Sequence, residues 1–122
     1  MKMEANNIKT LIGQAAHFLR DKGYSVRETS LPKGIDLIAL EKASNKAIFV
    51  AVMDGDTVRS IPLKGLGTSK KSIARSYALL KGASKWVKAA GWEGDIQFDA
   101  VWISTETIPI GLSHICNIGI RI

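Results

Sequence analysis

The stretch Ala47-Ile-Phe-Val-Ala-Val-Met53 decides the fold, because it is apolar at both its odd and its even positions. Side chains alternate between the two faces of a sheet along a strand, so this pattern is typical of a strand covered on both sides. It follows Gly34-Ile-Asp-Leu-Ile-Ala39, a second apolar segment that contains an acid, after a short connection with Lys, Ser and Asn. The sequence therefore predicts two paired strands, the second of them inside the protein.

Helices and further strands are predicted on either side of this pair. Helical periodicity indicates one helix from Asn6 or Asn7 to Asp21 and a second from Ser69 to Ala90, with a break near Gly82. The predicted apolar stripe of the second helix consists of Ile73, Tyr77, Leu80, Ser84 and Val87. Strands are predicted over 24–29, 35–40, 47–53, 96–103 and 115–122, and irregular chain over 58–68. This order predicts an α/β fold with a mixed central sheet flanked by helices.

The bulk composition is that of one soluble domain. A chain of 122 residues is long enough for a single core, so we expect one domain over 1–122. Its apolar runs are shorter than the roughly 18 residues that span a membrane, and we expect no membrane partner. The polar start is unlike a signal peptide. The single cysteine, Cys116, excludes an internal disulfide; we expect a small core residue and a cytoplasmic location.

The net charge of +6 favours an anionic partner such as nucleic acid, because basic groups release counterions from phosphates on binding. Many of the basic residues follow the strand pair along the chain. Those we expect to contact phosphate are Arg59, Lys64, Lys70, Lys71 and Arg75. The competing interpretation is a solvated helix face, and the alternative to a nucleic-acid partner is a homo-oligomer or a protein partner.

Five segments in a fixed order carry a resemblance to a nuclease family. They are Gly13-Gln-Ala-Ala16 with Leu19 and Gly23-Tyr24, Gly34 to Ala39, Phe49 to Met53, Phe98-Asp-Ala-Val101, and His114-Ile-Cys-Asn117. Together they resemble the small bacterial YraN-like proteins of the PD-(D/E)XK superfamily, alongside archaeal Holliday-junction resolvases. The resemblance implies a restriction-endonuclease-like fold and locates the position of a Mg²⁺-dependent endonuclease site.

This chain departs from that family at the positions of the catalytic residues. The family carries glutamate at the position of Gln14, and an acid and a lysine at the positions of Ala51 and Met53. The family's first acid is retained here as Asp36, so the Asp36 carboxylate and the carbonyl of Val52 are the oxygen donors left for a metal. A thioether neither donates to a water nor orients it. The sequence thus predicts a nuclease-fold protein with lost or weakened catalytic residues; a structural hydrogen bond at a strand edge is the alternative role for Asp36.

Two alternative functions remain open from the sequence. In the first, Asp54 or Asp56 supplies a relocated acid beside Lys33, Lys46, Lys70 or Lys71, and the protein is an active Mg²⁺-dependent endonuclease or resolvase. In the second, the apolar face of Phe49, Ala51 and Met53 meets a partner chain in an interaction or oligomerisation module.

The expected cofactor is none, or Mg²⁺ if a relocated site is active. The two histidines are expected to be structural rather than catalytic: His17 on the surface, and His114 in a hydrogen bond. No His/Cys spacing of the usual kind predicts zinc.

Overall fold

The computed structural model describes residues 4–54, 70–104, 111–116 and 118. The helices are α1 (Glu4–Asp21) and α2 (Lys70–Ala90), and the strands are β1 (Ser25–Arg27), β2 (Leu37–Glu41), β3 (Lys46–Asp54), β4 (Asp95–Ser104) and β5 (Gly111–Ile115). The predicted α/β class, a mixed sheet flanked by helices, is confirmed. The predicted irregular segment 58–68 lies outside the described residues.

The sheet has the order β1-β2-β3-β4-β5. Only β3 and β4 are parallel among the described strands, and the other neighbours are antiparallel. Parallel strands need a long crossover connection, and α2 lies within the one between β3 and β4. The strand predicted to lie inside the protein, β3, is the middle strand and is hydrogen-bonded on both edges.

Both faces of β3 are buried, as its sequence predicted. Ile48 and Val50 face α1, whereas Phe49 and Ala51 face α2, and all four are at most 2% exposed. The core on the α1 side also contains Leu11, Ala15, Ala16, Leu19, Leu37, Ala39, Val101 and Ile103. The core on the α2 side also contains Ile35, Ile38, Ala47, Leu79, Ala83, Trp86, Ala100, Trp102 and Ile118.

The predicted apolar stripe of α2 is wrong in part. Tyr77 and Ser84 are exposed, Leu80 and Val87 are half-buried, and the side chain of Ile73 lies outside the described residues. The buried residues among the described part of α2 are Ser76, Leu79, Gly82, Ala83 and Trp86. Gly82 does not break the helix. A Cβ at this position would lie 2.8 Å from both the Ile35 side chain and the Lys33 carbonyl oxygen, so glycine lets the chain before β2 pack directly on α2. The buried face of α2 is therefore set by its close contact with the chain before β2. The periodicity of the helix sequence does not contain that contact.

The last strand differs from its prediction over the described residues, since 117 and 119–122 of the predicted range 115–122 lie outside them. It ends at Ile115 rather than beginning there, and it pairs antiparallel with β4. Ile118 lies beyond the strand, where its N–H donates to the Phe98 carbonyl oxygen at 2.7 Å and its side chain is buried on the α2 side. Ile118 is therefore part of the hydrophobic core and does not belong to a strand.

Neither of the two described helices combines the length and the apolar composition that crossing a membrane requires.

Candidate functional site

Asp36, the acid that the nuclease resemblance singled out, lies one residue before β2. Leu37 is opposite Val50 in the β2–β3 ladder, so Asp36 comes beside the end of β3. Its Oδ2 accepts a hydrogen bond from the backbone N–H of Val52 at 2.7 Å. The sequence predicted Val52 as a carbonyl ligand to a shared metal. The structure instead joins the two residues through a donor N–H, which is a strand-edge hydrogen bond of the structural kind.

Arg75 of α2 is the second partner of Asp36. Its Nη2 donates to Asp36 Oδ2, and its Nη1 donates to the Gly34 carbonyl oxygen at 2.6 Å. The two side chains of this ion pair are 23% and 24% exposed. A guanidinium therefore supplies the positive charge beside the Asp36 carboxylate. Arg75, expected to contact phosphate, is engaged inside the protein.

The contact of Arg75 with Gly34 and Asp36 is possible because residue 34 is a glycine. Gly34 has φ +100°, and a Cβ there would lie 2.3 Å from the backbone carbonyl oxygen of Ala78. Only a residue without a side chain lets the turn touch the α2 backbone this closely while adopting a left-handed conformation. The turn is thereby held where its own carbonyl and the following Asp36 carboxylate both meet Arg75.

The other positions of the expected catalytic set do not form a polar site. Ala51 is fully buried and Met53 packs partly buried beside it, both on the α2 side of the sheet. Gln14 belongs to α1, which covers the opposite face, so the structure does not bring it to Asp36. Because α2 covers the face of Phe49 and Ala51, this face is not available to a partner chain.

Gln14 instead lines a groove of about 610 Å³ between α1 and β5, formed by Thr10, Gly13, Gln14, His17, Phe18, Asp21 and Leu112. Within the described part of the chain, its Oε1 is buried without a hydrogen-bond partner. The amide that stands at the family's glutamate position is thus directed into a largely apolar environment.

The exposed face of α2 carries a tyrosine and three lysines. Tyr77, Lys81, Lys85 and Lys88 recur three or four positions apart and are all exposed. Lys81 Nζ lies 5.6 Å from the centroid of the Tyr77 ring, in a cation–π contact. We call these four residues the α2 basic face. Among the other expected phosphate contacts, Lys70 and Lys71 begin α2, whereas Arg59 and Lys64 lie outside the described residues.

The chain's positive charge is concentrated around this helix. Residues 57–92 contain eight Lys and Arg and no Asp or Glu, whereas the rest of the chain contains nine basic and eleven acidic residues. α2 itself carries six of the eight. The net charge of +6 is therefore a property of one segment rather than of the whole surface.

A second polar cluster was not predicted. Asp99 of β4 and His114 of β5 have side chains 0% and 2% exposed, and His114 Nε2 lies 2.8 Å from Asp99 Oδ2. Asp99 Oδ1 accepts from Gln97 Nε2 at 2.8 Å, and Gln97 Oε1 accepts from Lys46 Nζ at 3.1 Å. This chain of contacts confirms the prediction of a structural hydrogen bond for His114.

Lys22, just after α1, fixes the tautomer of His114. Its Nζ lies 2.9 Å from His114 Nδ1. An ammonium only donates hydrogen bonds, so Nδ1 accepts and the ring proton sits on Nε2, from which it is donated to Asp99. Phe18 and Tyr24 hold the imidazole edge-on, with ring centroids 6.3 and 6.4 Å away.

Cys116 is exposed, so its prediction as a core residue is wrong. Its Sγ approaches the buried pair and lies 3.6 Å from His114 Nε2. Partial burial, and then the Asp99 carboxylate, raise the pKa of the Cys116 thiol above its ordinary value. The thiol is therefore protonated at neutral pH, which does not suit a nucleophile.

The sequence did contain a signal for this cluster. His114 and Cys116 are two positions apart at the end of a strand, which is the spacing of residues on one face. Asp99 is an acid inside the otherwise largely apolar run from Phe98 to Ile103. The pairing of Ala100 with Ile115 and of Val101 with His114 brings the two signals together, and only the register supplies that information.

No protein-family model and no curated protein sequence matches this chain. The nuclease resemblance therefore rests on the residues of the sequence alone.

Proposed function

We propose that this protein binds nucleic acid through the α2 basic face and does not hydrolyse it, as a non-catalytic relative of the PD-(D/E)XK nucleases. The observation that carries the proposal is the α2 basic face itself, an exposed row of one aromatic and three lysine side chains on a helix without an acidic residue. Lys81 and Lys88 are separated by about 10 Å along the helix axis, so the row can follow a phosphate backbone.

The absence of hydrolysis is proposed on the chemistry around Asp36. Phosphodiester cleavage by this family needs a metal that neutralises phosphate charge and activates water. Ala51 and Met53 provide neither a carboxylate nor an ammonium, and the carboxylate that remains is held by Arg75. A metal would have to displace a guanidinium from Asp36 and would gain few further protein oxygens.

Tyr77 extends the proposal to single strands. Its ring is 48% exposed although it lies on a helix packed against the sheet. An exposed aromatic beside lysines is the arrangement on which unpaired bases stack, and it tolerates any sequence because every base has a π face. We therefore expect binding with little sequence preference and with a strong dependence on salt.

Binding of labelled single-stranded and duplex DNA and RNA, measured by fluorescence anisotropy over a range of salt concentrations, tests the proposal. If lysines contact duplex phosphates, log affinity falls linearly with log salt, with a slope of about −0.9 for each phosphate neutralised. The triple variant Lys81→Gln, Lys85→Gln, Lys88→Gln should bind more weakly and with a shallower slope.

The control is Arg27→Gln with Lys42→Gln, which removes two exposed positive charges, one on β1 and one in the turn after β2. This variant should retain most of the affinity. Equal losses of binding free energy per charge removed in the two variants would reduce the effect to net charge and contradict a defined face. No binding at low salt would overturn the proposal, and Mg²⁺-dependent cleavage would favour the relocated-site nuclease.

A further inference from the structure

Asp99, His114 and Cys116 bring three different donor types together at the β4–β5 edge. One carboxylate oxygen, one imidazole nitrogen and the thiol sulfur all lie within 4.8 Å of one another. A carboxylate, an imidazole and a thiolate are each ligands of Zn²⁺ in proteins. We propose that these three residues form a binding site for a transition-metal ion of the Zn²⁺ class.

The two distances from His114 to the other ligand atoms are close to those of a tetrahedral site, and the Asp99 and Cys116 ligand atoms lie within 4.8 Å of each other. Bonds of 2.0–2.3 Å to zinc place neighbouring ligand atoms about 3.3–3.8 Å apart. Cys116 Sγ is 3.6 Å from His114 Nε2, within that range. Asp99 Oδ2 is closer to Nε2, at 2.8 Å, because the two share a hydrogen bond, and they must separate by about 0.5 Å to admit the ion. Three protein ligands leave the fourth position to water or to another ligand.

The site is partly built and partly open. Asp99 and His114 are buried and held by neighbouring strands, and the rings of Phe18 and Tyr24 limit rotation of the imidazole. Cys116 is exposed, so an ion can enter from its side. Two donors fixed by the sheet and a third at the surface allow capture without unfolding.

Metal binding would break the hydrogen bond between Lys22 and His114, and this loss lowers the affinity of the site for the ion. In the metal-free protein its ammonium donates to His114 Nδ1 and keeps the ring proton on Nε2. When the ion takes the Nε2 lone pair, that proton moves to Nδ1, which then no longer accepts from Lys22. The thiol loses its proton to solvent, and Lys22, which is exposed, turns away still protonated. Lys22 and the metal are therefore competitors.

This competition separates a metal site from a purely structural cluster. If Asp99 and His114 serve only to join β4 to β5, Lys22 supports the network and Cys116 is irrelevant to it. If they bind metal, Cys116 is a ligand and Lys22 is an antagonist. Loss of the Lys22 ammonium then raises metal affinity only if the cluster binds metal, whereas in a purely structural cluster it only weakens the hydrogen-bond network.

The test uses the full chain without an affinity tag, stripped with chelator and titrated with Co²⁺ and then Zn²⁺. The parent should bind one equivalent and show the charge-transfer absorption of a cobalt–thiolate bond. Cys116→Ser should abolish that absorption and weaken Zn²⁺ binding by about tenfold or more, as loss of even an outer partner of a zinc ligand does. Lys22→Gln should tighten binding several-fold.

The control is His17→Gln, because His17 forms another His–Asp contact, 3.5 Å from Asp21, but on the exposed surface. It should bind Co²⁺ and Zn²⁺ as the parent does. Absence of stoichiometric binding, unchanged binding in Cys116→Ser, or weaker binding in Lys22→Gln would each overturn the proposal. Cys116 and Lys22 are both exposed, so neither variant depends on repacking the core.

Discussion

The guanidinium of Arg75 donates to the carboxylate of Asp36 and so ties α2 to the entrance of β2. The same carboxylate oxygen accepts the N–H of Val52, which adds the end of β3 to the junction. Three elements thus meet at Asp36, the acid to which the nuclease resemblance would assign metal binding. In the structure this acid has an internal cation as its partner and joins the three elements.

Removal of that acid should destabilise the fold. In Asp36→Ala the Arg75 guanidinium and the Val52 N–H lose their acceptor, and we expect unfolding to become easier by about 1–3 kcal/mol. Asp36→Asn, which keeps one acceptor oxygen, should cost less. Urea denaturation followed by circular dichroism measures both. A variant Asp36→Ala as stable as the parent would contradict the structural role.

The parent should neither cleave DNA nor be stabilised by Mg²⁺ or Mn²⁺. An ion that binds only the folded state raises the melting temperature by mass action, so thermal denaturation with metal and with chelator is a direct measurement. Nuclease assays on single-stranded, duplex and branched DNA complete it. Metal-dependent cleavage that is lost in Asp36→Ala would contradict this prediction and favour a relocated site, and Asp54→Ala and Asp56→Ala would then identify the relocated acid.

Restoring the family's acid should disrupt the core rather than rebuild an enzyme. Ala51 is fully buried against α2, so Ala51→Glu places a charge among apolar side chains and should cost about 3 kcal/mol or more. Ala43→Glu, in an exposed turn, should change stability by no more than about 0.5 kcal/mol. The result that speaks against this geometry is a stable Ala51→Glu, Met53→Lys variant that gains stability from Mg²⁺.

Tyr77 should contribute to single-strand binding without contributing to stability. Loss of a stacking ring typically costs about 1–3 kcal/mol of affinity, so Tyr77→Ala should weaken single-strand binding by about five- to 150-fold. Tyr77→Phe keeps the ring and should bind as the parent does. Anisotropy with single-stranded and duplex probes separates stacking from phosphate contact. An equal loss on both probes would show that the ring does not stack on bases.

Two glycines in helices should respond in opposite directions to the same substitution. Gly82→Ala brings a methyl group to 2.8 Å from the Ile35 side chain and the Lys33 carbonyl, and this overpacking should cost about 1–3 kcal/mol. Gly13→Ala meets nothing within 4 Å among the described residues and should stabilise α1 by about 0.5–1 kcal/mol. Thermal denaturation of the two variants side by side tests how closely α2 packs.

The sequence by itself determined the order of the described elements and the burial of β3 on both faces. Alternation along a strand and periodicity along a helix are local properties, so Phe49 and Val50 identify two apolar faces without knowledge of what covers them. The sequence also shows Ala51 and Met53 at the two positions where the resembled family carries an acid and a lysine.

Only the tertiary structure decided which charges meet. Arg75 lies 39 residues from Asp36, and nothing local distinguishes it from the lysines of the α2 basic face. Lys22, Asp99 and His114 come from three parts of the chain and meet through the packing of α1 against the sheet and the register of β4 with β5. An ion pair or a ligand set depends on distances between elements, and periodicity within one element does not contain those distances.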